Sequence, residues 1–155
     1  MLAPQFETYW QSYLATLPAD APQRTAFVEA WPFGDNPHLA DELAQLVLAG
    51  IKTATCTALW SIEVEGATMP ATGQYSIILG GDGQPLCIIE TVEVNVLAFD
   101  EVDAQFACDE GEDDRSLAAW RTEHWRYFTR TLAAHGLQPA PTMPVVCERF
   151  RVVHR

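Results

Sequence analysis

Apolar residues recur along this chain in two periods, and the switches between them mark its elements. Phe6, Tyr9, Trp10, Tyr13, Leu14 and Leu17 keep helical spacing across residues 5–17 until Pro18 ends the run. A second, short helix is expected over residues 23–30. The best-defined helix comes next. Asn36 suits its N-cap, Pro37 its first position and Gly50 the place just past its end. Leu39, Leu43, Leu46 and Val47 form its apolar stripe, with Asp41, Glu42 and Gln45 turned to water. From residue 52 to residue 60 the period drops to two, with Thr53, Thr55 and Thr57 alternating as in a strand.

Residues 75–96 read as a hairpin, because two apolar runs flank the turn Gly80-Gly81-Asp82-Gly83. Residues 69–73 read as a loop. A short helix over 101–108 leads into an acidic stretch, and a longer one over 116–135 turns Leu117, Trp120, His124, Phe128 and Leu132 inward until Gly136 caps it. Residues 145–153 supply a last strand. Helices gathered beside a small, mostly antiparallel sheet predict an α+β fold built as a half-closed barrel. No repeat or linker divides the 155 residues, so one domain is expected, with residues 1–30 as a helical extension.

Charge narrows the choice of partner. The formal net charge is −12, which repels polyphosphate at long range and supplies no broad cationic track. A nucleic-acid ligand must therefore meet a local pocket, or be small. Cys56, Cys87, Cys108 and Cys147 show no paired spacing, so neither a zinc site nor a disulfide framework is expected. No stretch is long and apolar enough for a membrane span. The first residues lack a basic segment ahead of an apolar run, so a secretory leader is not expected and a cytoplasmic location is.

Candidate chemistry begins at Lys52, the one lysine in a chain whose other eight basic residues are arginines. It lies at a helix-to-strand junction beside Thr53 and Thr55. A bias toward arginine codons explains a lone lysine without chemistry. The chemical reading is that burial tunes an ammonium as it cannot tune a guanidinium. Lysine can activate the Thr55 hydroxyl only when neutral, which needs its pKa lowered by roughly three units and excludes a tight ion pair. A charged Lys52 would instead stabilise an oxyanion or grip a phosphate. The run Asp109-Glu110-Gly111-Glu112-Asp113-Asp114 reads as a solvated loop whose spacing matches no calcium loop, and no metal is expected there. His124 reads as a core histidine or a base, and Arg121 as a pocket ligand or a surface residue.

Several segments together carry a resemblance. Phe33-Gly34-Asp35, Leu39-Ala40-Asp41-Glu42-Leu43 and Gly50-x-Lys52-Thr53-x-Thr55 are similar to the ASCH domain family, named for activating-signal-cointegrator homology. Ile88-Ile89-Glu90-Thr91, the run from Phe106 to Leu117 through Glu110-Gly111-Glu112, and Trp120-Arg121-x-x-His124 resemble its longer bacterial branch. The resemblance covers residues 31–153. It implies a PUA-like β-barrel flanked by helices, with a cleft for RNA or nucleotides. Small members are amidohydrolases of acylated cytidine, and by motif their base, nucleophile and charge-handling glutamate fall on Lys52, Thr55 and Glu110. Other members are described as ribonucleases; a single-strand ribonuclease with Lys52 as phosphate or transition-state ligand is the second reading, and a non-catalytic reader of RNA is the third. Thr53, Trp60, Tyr75, Arg121 and His124 are the expected substrate contacts, with Trp60 or Tyr75 stacking on a base. No cofactor is expected, and the ligand is a nucleoside or single-stranded RNA held in a local pocket.

Overall fold

Five strands form one mixed sheet that curls into a half-barrel, and five α-helices flank it. The structure is a computed structural model that describes residues 2–155. The strands are β1 (Val28–Pro32), β2 (Ala54–Ala58), β3 (Tyr75–Leu79), β4 (Pro85–Ala98) and β5 (Pro144–His154). The helices are α1 (Pro4–Leu14), α2 (Pro37–Leu48), α3 (Leu59–Glu65), α4 (Ala104–Glu110) and α5 (Leu117–Ala133). Sheet order is β1-β3-β4-β5-β2, antiparallel except where β1 runs parallel to β3. β1 and β2 are therefore the two free edges, and the half-barrel opens between them.

Alternation along the strands sorts the core into two sides. Ile78, Cys87, Ile89 and Phe150 pack against Leu43, Ala44 and Val47 of α2. The alternate residues Ile77, Leu79 and Ile88 pack against Trp10, Tyr13 and Leu14 of α1. Ala54, Cys56, Val145 and Cys147 meet Phe106 and Ala107 of α4 and Trp120 and Phe128 of α5. Thr55 and Thr57, offset by one residue, thus share a side with Phe150 and α2 and border the opening.

The expected helix α2 forms, with Asn36 Oδ1 accepting from Leu39 N at 3.0 Å. The hairpin also forms, as β3 and β4. Three expectations shift. Residues 23–30 are a 3₁₀ turn, Pro22–Thr25, followed by β1 rather than a helix. The five residues of β1 have little local preference, and parallel pairing with a strand 47 residues further along the chain decides their state. The strand expected over 52–60 is limited to Ala54–Ala58, and Trp60 lies in α3. The helix expected over 101–108 starts at Ala104, where Asp103 caps it, and the preceding turn at Phe99–Glu101 is 3₁₀. The sheet thus begins inside the predicted 1–30 extension.

Candidate functional site

Lys52 is placed by backbone bonds on three sides. Past the C-terminus of α2, Gly50 adopts φ +73°, and the amides of Ile51 and Lys52 both donate to Leu46 O, at 2.9 and 3.1 Å. Thr53 N then donates to Asp109 O at 2.8 Å, and Phe150 N to Thr53 O at 2.9 Å. The junction is stapled to the end of α4 and to β5 before β2 begins. The side chain between these staples is only 1% exposed.

The buried ammonium meets two carboxylates. Lys52 Nζ donates to Glu112 Oε1 at 2.7 Å, to Glu110 Oε2 at 3.1 Å and, more weakly, to Glu110 O at 3.4 Å. Those contacts use all three of its protons. Burial opposes the charge, yet Glu110 and Glu112 outweigh it, and the amine is held above its ordinary pKa. The Phe33 ring lies 5.3 Å from Nζ on another side.

Glu110, also 1% exposed, accepts three donors. Besides Lys52, Trp120 Nε1 reaches its Oε1 at 3.0 Å and His124 Nε2 lies 3.2 Å from the same oxygen. Burial alone would raise this carboxyl, but His124, Lys52 and Trp120 hold it well below the usual range. The other ring nitrogen of His124, Nδ1, lies 3.0 Å from Trp120 O. With an acceptor at each nitrogen, the ring donates twice and is an imidazolium. Its pKa is accordingly raised, Glu110 overcoming the burial that opposes it. Lys52, His124 and Glu110 are buried and, with the partly exposed Glu112, form a quartet of two bases set against two acids.

This quartet forms one wall of a cavity of about 760 Å³ in the opening of the half-barrel. Trp31 and Phe33, Leu39 and Leu43 of α2, and Thr55 and Thr57 of β2 also line it. The rim carries Glu42, Asp113 and Glu123. Arg130, which also lines the cavity, donates from Nε to Asp35 Oδ2 at 2.7 Å. A flat, uncharged ligand suits such aromatic and aliphatic walls, and an anionic rim disfavours phosphate. Donor atoms of Glu110, Glu112 and His124 lie within 4.8 Å of one another, close enough for a cation, and the Lys52 ammonium is the cation set against both carboxylates.

The structure gathers Lys52, Thr55, Glu110 and His124 at this cavity, while Thr53, Trp60, Tyr75 and Arg121 do not line it. Thr53 is exposed, with its hydroxyl on Asp109 O at 3.3 Å. Trp60 packs against the core cluster that holds Trp120 and Phe128, and Tyr75 is buried among Trp10 and Tyr13 on the opposite side of the sheet. Arg121 donates outward to Asp100 O at 3.0 Å. Neither aromatic is therefore available to stack on a base here. Sequence reasoning missed Trp31, Tyr127 and the pairing role of Glu112. Tyr127 lies three residues after His124 on one helix face, which is the signal that could have found it.

A family model described as ASCH domain matches residues 29–154. The chain belongs to the ASCH domain family. Its fold is PUA-like, an architecture associated with RNA binding. The crystal structure of an ASCH domain from Lactobacillus crispatus JV V101 is 29% identical, covers 99% of this chain and 97% of its own, and superposes at a TM-score of 0.93. That of protein EF3133 from Enterococcus faecalis V583 is 39% identical, with coverage of 96% and 87% and a TM-score of 0.83. No curated protein matches the chain in sequence. In this ASCH domain no helix among the described residues is long and apolar enough to cross a membrane.

Proposed function

We propose that this ASCH domain hydrolyses an amide on a small uncharged nucleoside, such as a cytidine acylated on its exocyclic amine. Thr55 is the nucleophile and Lys52 a charged ligand for the oxyanion. One observation carries the reading: a cavity large enough for a nucleoside has the Thr55 hydroxyl and the Lys52–Glu110–His124 network in its walls. Lys52 does not fit the base role that the family resemblance implies, because an ammonium with three acceptors has no lone pair to offer. Its longest bond, to Glu110 O at 3.4 Å, is the one an oxyanion can replace at least cost. Glu110 fixes the ammonium and the imidazolium in place, so the positive charge is organised before the reaction begins.

Phosphodiester cleavage is the weaker reading. The acids Glu42, Asp113 and Glu123 that line the cavity would meet the phosphates of an RNA strand. The test is incubation of the purified protein with acetylcytidine. Thr55→Ala should lower the rate of acetate release at least 100-fold. A Thr55→Ala protein with the full rate removes the threonine from its role. RNA cleavage that survives Thr55→Ala and falls with salt selects the ribonuclease reading instead.

A further inference from the structure

A threonine nucleophile needs a base, and none of the four ionised groups in the cavity wall can serve. Lys52 and His124 are protonated, with each proton directed at an acceptor. Glu110 takes three donors and is held well below the usual carboxylate range, so it is a poor proton acceptor. Glu112 is tied to Lys52 at 2.7 Å.

The sheet register supplies another candidate. On β5, Glu148 is the residue directly opposite Thr55 of β2. Opposed residues of antiparallel strands point to the same face with Cβ atoms roughly 4.5–5.5 Å apart. Glu148 therefore stands beside Thr55 on the inner side of the half-barrel. We propose that Glu148 is the general base that takes the proton from the Thr55 hydroxyl, directly or through one water. This rests on the reading of Thr55 as nucleophile.

The surroundings of Glu148 suit that task. Burial pushes its carboxyl up to about 7, Thr91 opposes the shift, and nearby Glu29 of β1 adds to it. Thr91 Oγ1 of β4 donates to Glu148 Oε2 at 3.3 Å, which leaves Oε1 free to turn toward β2. Glu29 is itself held by Gln74 Nε2 at 2.9 Å, and burial raises its carboxyl too. Among the described residues no basic side chain pairs with Glu148. A carboxylate with a pKa near the working pH is both ionised in part and basic enough to act.

The protons balance without a co-reactant other than water. Thr55 Oγ1 bonds to the acyl carbon as its proton passes to Glu148. The adduct collapses, the C–N bond breaks, and Glu148 returns that proton to the departing nitrogen. Water then adds to the Thr55 ester, giving a proton to Glu148, which passes it to Oγ1 as the ester C–O bond breaks. The products are the carboxylic acid and the free amine.

The experiment compares wild type, Thr55→Ala and Glu148→Gln on acetylcytidine across pH 5–9, with thermal melts to show that each protein is folded. The proposal expects kcat/KM of the wild type to rise with a pKa near 7, and Glu148→Gln to lose about 100-fold or more together with that limb. An inactive Thr55→Ala beside a Glu148→Gln with the wild-type rate and profile overturns the base and leaves the nucleophile standing. An active Thr55→Ala overturns both. If acetylcytidine is not turned over, the substrate assignment fails alone, and acylation of Thr55 by p-nitrophenyl acetate, followed by mass spectrometry, becomes the readout. Equal acylation of wild type and Glu148→Gln then overturns the base. The wild-type profile needs no variant, and a flat one between pH 6 and 8 also overturns it.

Discussion

Lys52 and Glu110 illustrate how a buried charge is held by what it touches rather than by its position in the chain. Each is nearly inaccessible to water, and each remains ionised because its partners outweigh the burial. Removing one partner strands the others. Lys52→Met should cost about 3–5 kcal/mol, read from urea denaturation, because Glu110 and Glu112 lose their counter-charge in a poorly solvated site. Adding Glu110→Gln to that variant should recover part of the loss, so the two changes are less than additive. Lys52→Arg should not rescue, since a planar guanidinium cannot occupy a compact, three-acceptor site. Glu110→Gln alone should lower the His124 pKa, because Glu110 is the chief group raising it. A titration of the His124 ring by NMR measures that shift, and an unchanged value would place the imidazolium under other control.

At the scale of elements, the site depends on two helix ends meeting back to back. Gly111 closes α4 with φ +74°, and a Cβ there would lie 2.6 Å from Ile51 O and 2.9 Å from Lys52 N. Gly111→Ala should therefore cost about 2–4 kcal/mol, joining left-handed strain to a backbone clash, and should displace Lys52 from Glu110. Gly50 has a similar φ of +73° but open space around it. Gly50→Ala should cost only about 1 kcal/mol, and comparing the two melts separates strain from crowding. The caps, stripe and turn of α2 and the β3–β4 hairpin were legible because their signals are local. β1 was not legible, since its state comes from pairing with β3 across a long separation. Lys52 was legible as an isolated lysine and Glu110 through its motif, whereas Glu112 was one acid among five until Gly111 turned it back toward the ammonium. Tyr75 carried an aromatic signal that reads the same for stacking and for core, and only the packing of α1 decides it.

Across the whole molecule, the buried acids should set the pH range in which the fold is strongest. Glu110 has its pKa depressed in the fold, so its contribution is present above its ordinary value of 4.5 and fades as pH falls below it. Glu148 and His124 are raised, so their contributions are present at low pH and are lost on the alkaline side. For Glu148 the loss begins near 4.5 and is complete above about 7, and for His124 it begins near 6.5. Net charge of −12 adds self-repulsion that also grows as carboxyls ionise. Stability measured by urea denaturation should peak at about pH 4.5–5 and fall from there to pH 8, with Glu148 contributing on the order of 2–3 kcal/mol to the fall. Glu148→Gln should flatten that fall, because a neutral amide has no ionisation to lose. A variant that keeps the wild-type slope would show that Glu148 titrates as an ordinary surface carboxylate. The opposition between the two roles is the physical point: ionising Glu148 weakens the half-barrel, yet only the ionised carboxylate can take a proton from Thr55. Stability should therefore decline across the same pH interval in which hydrolysis accelerates.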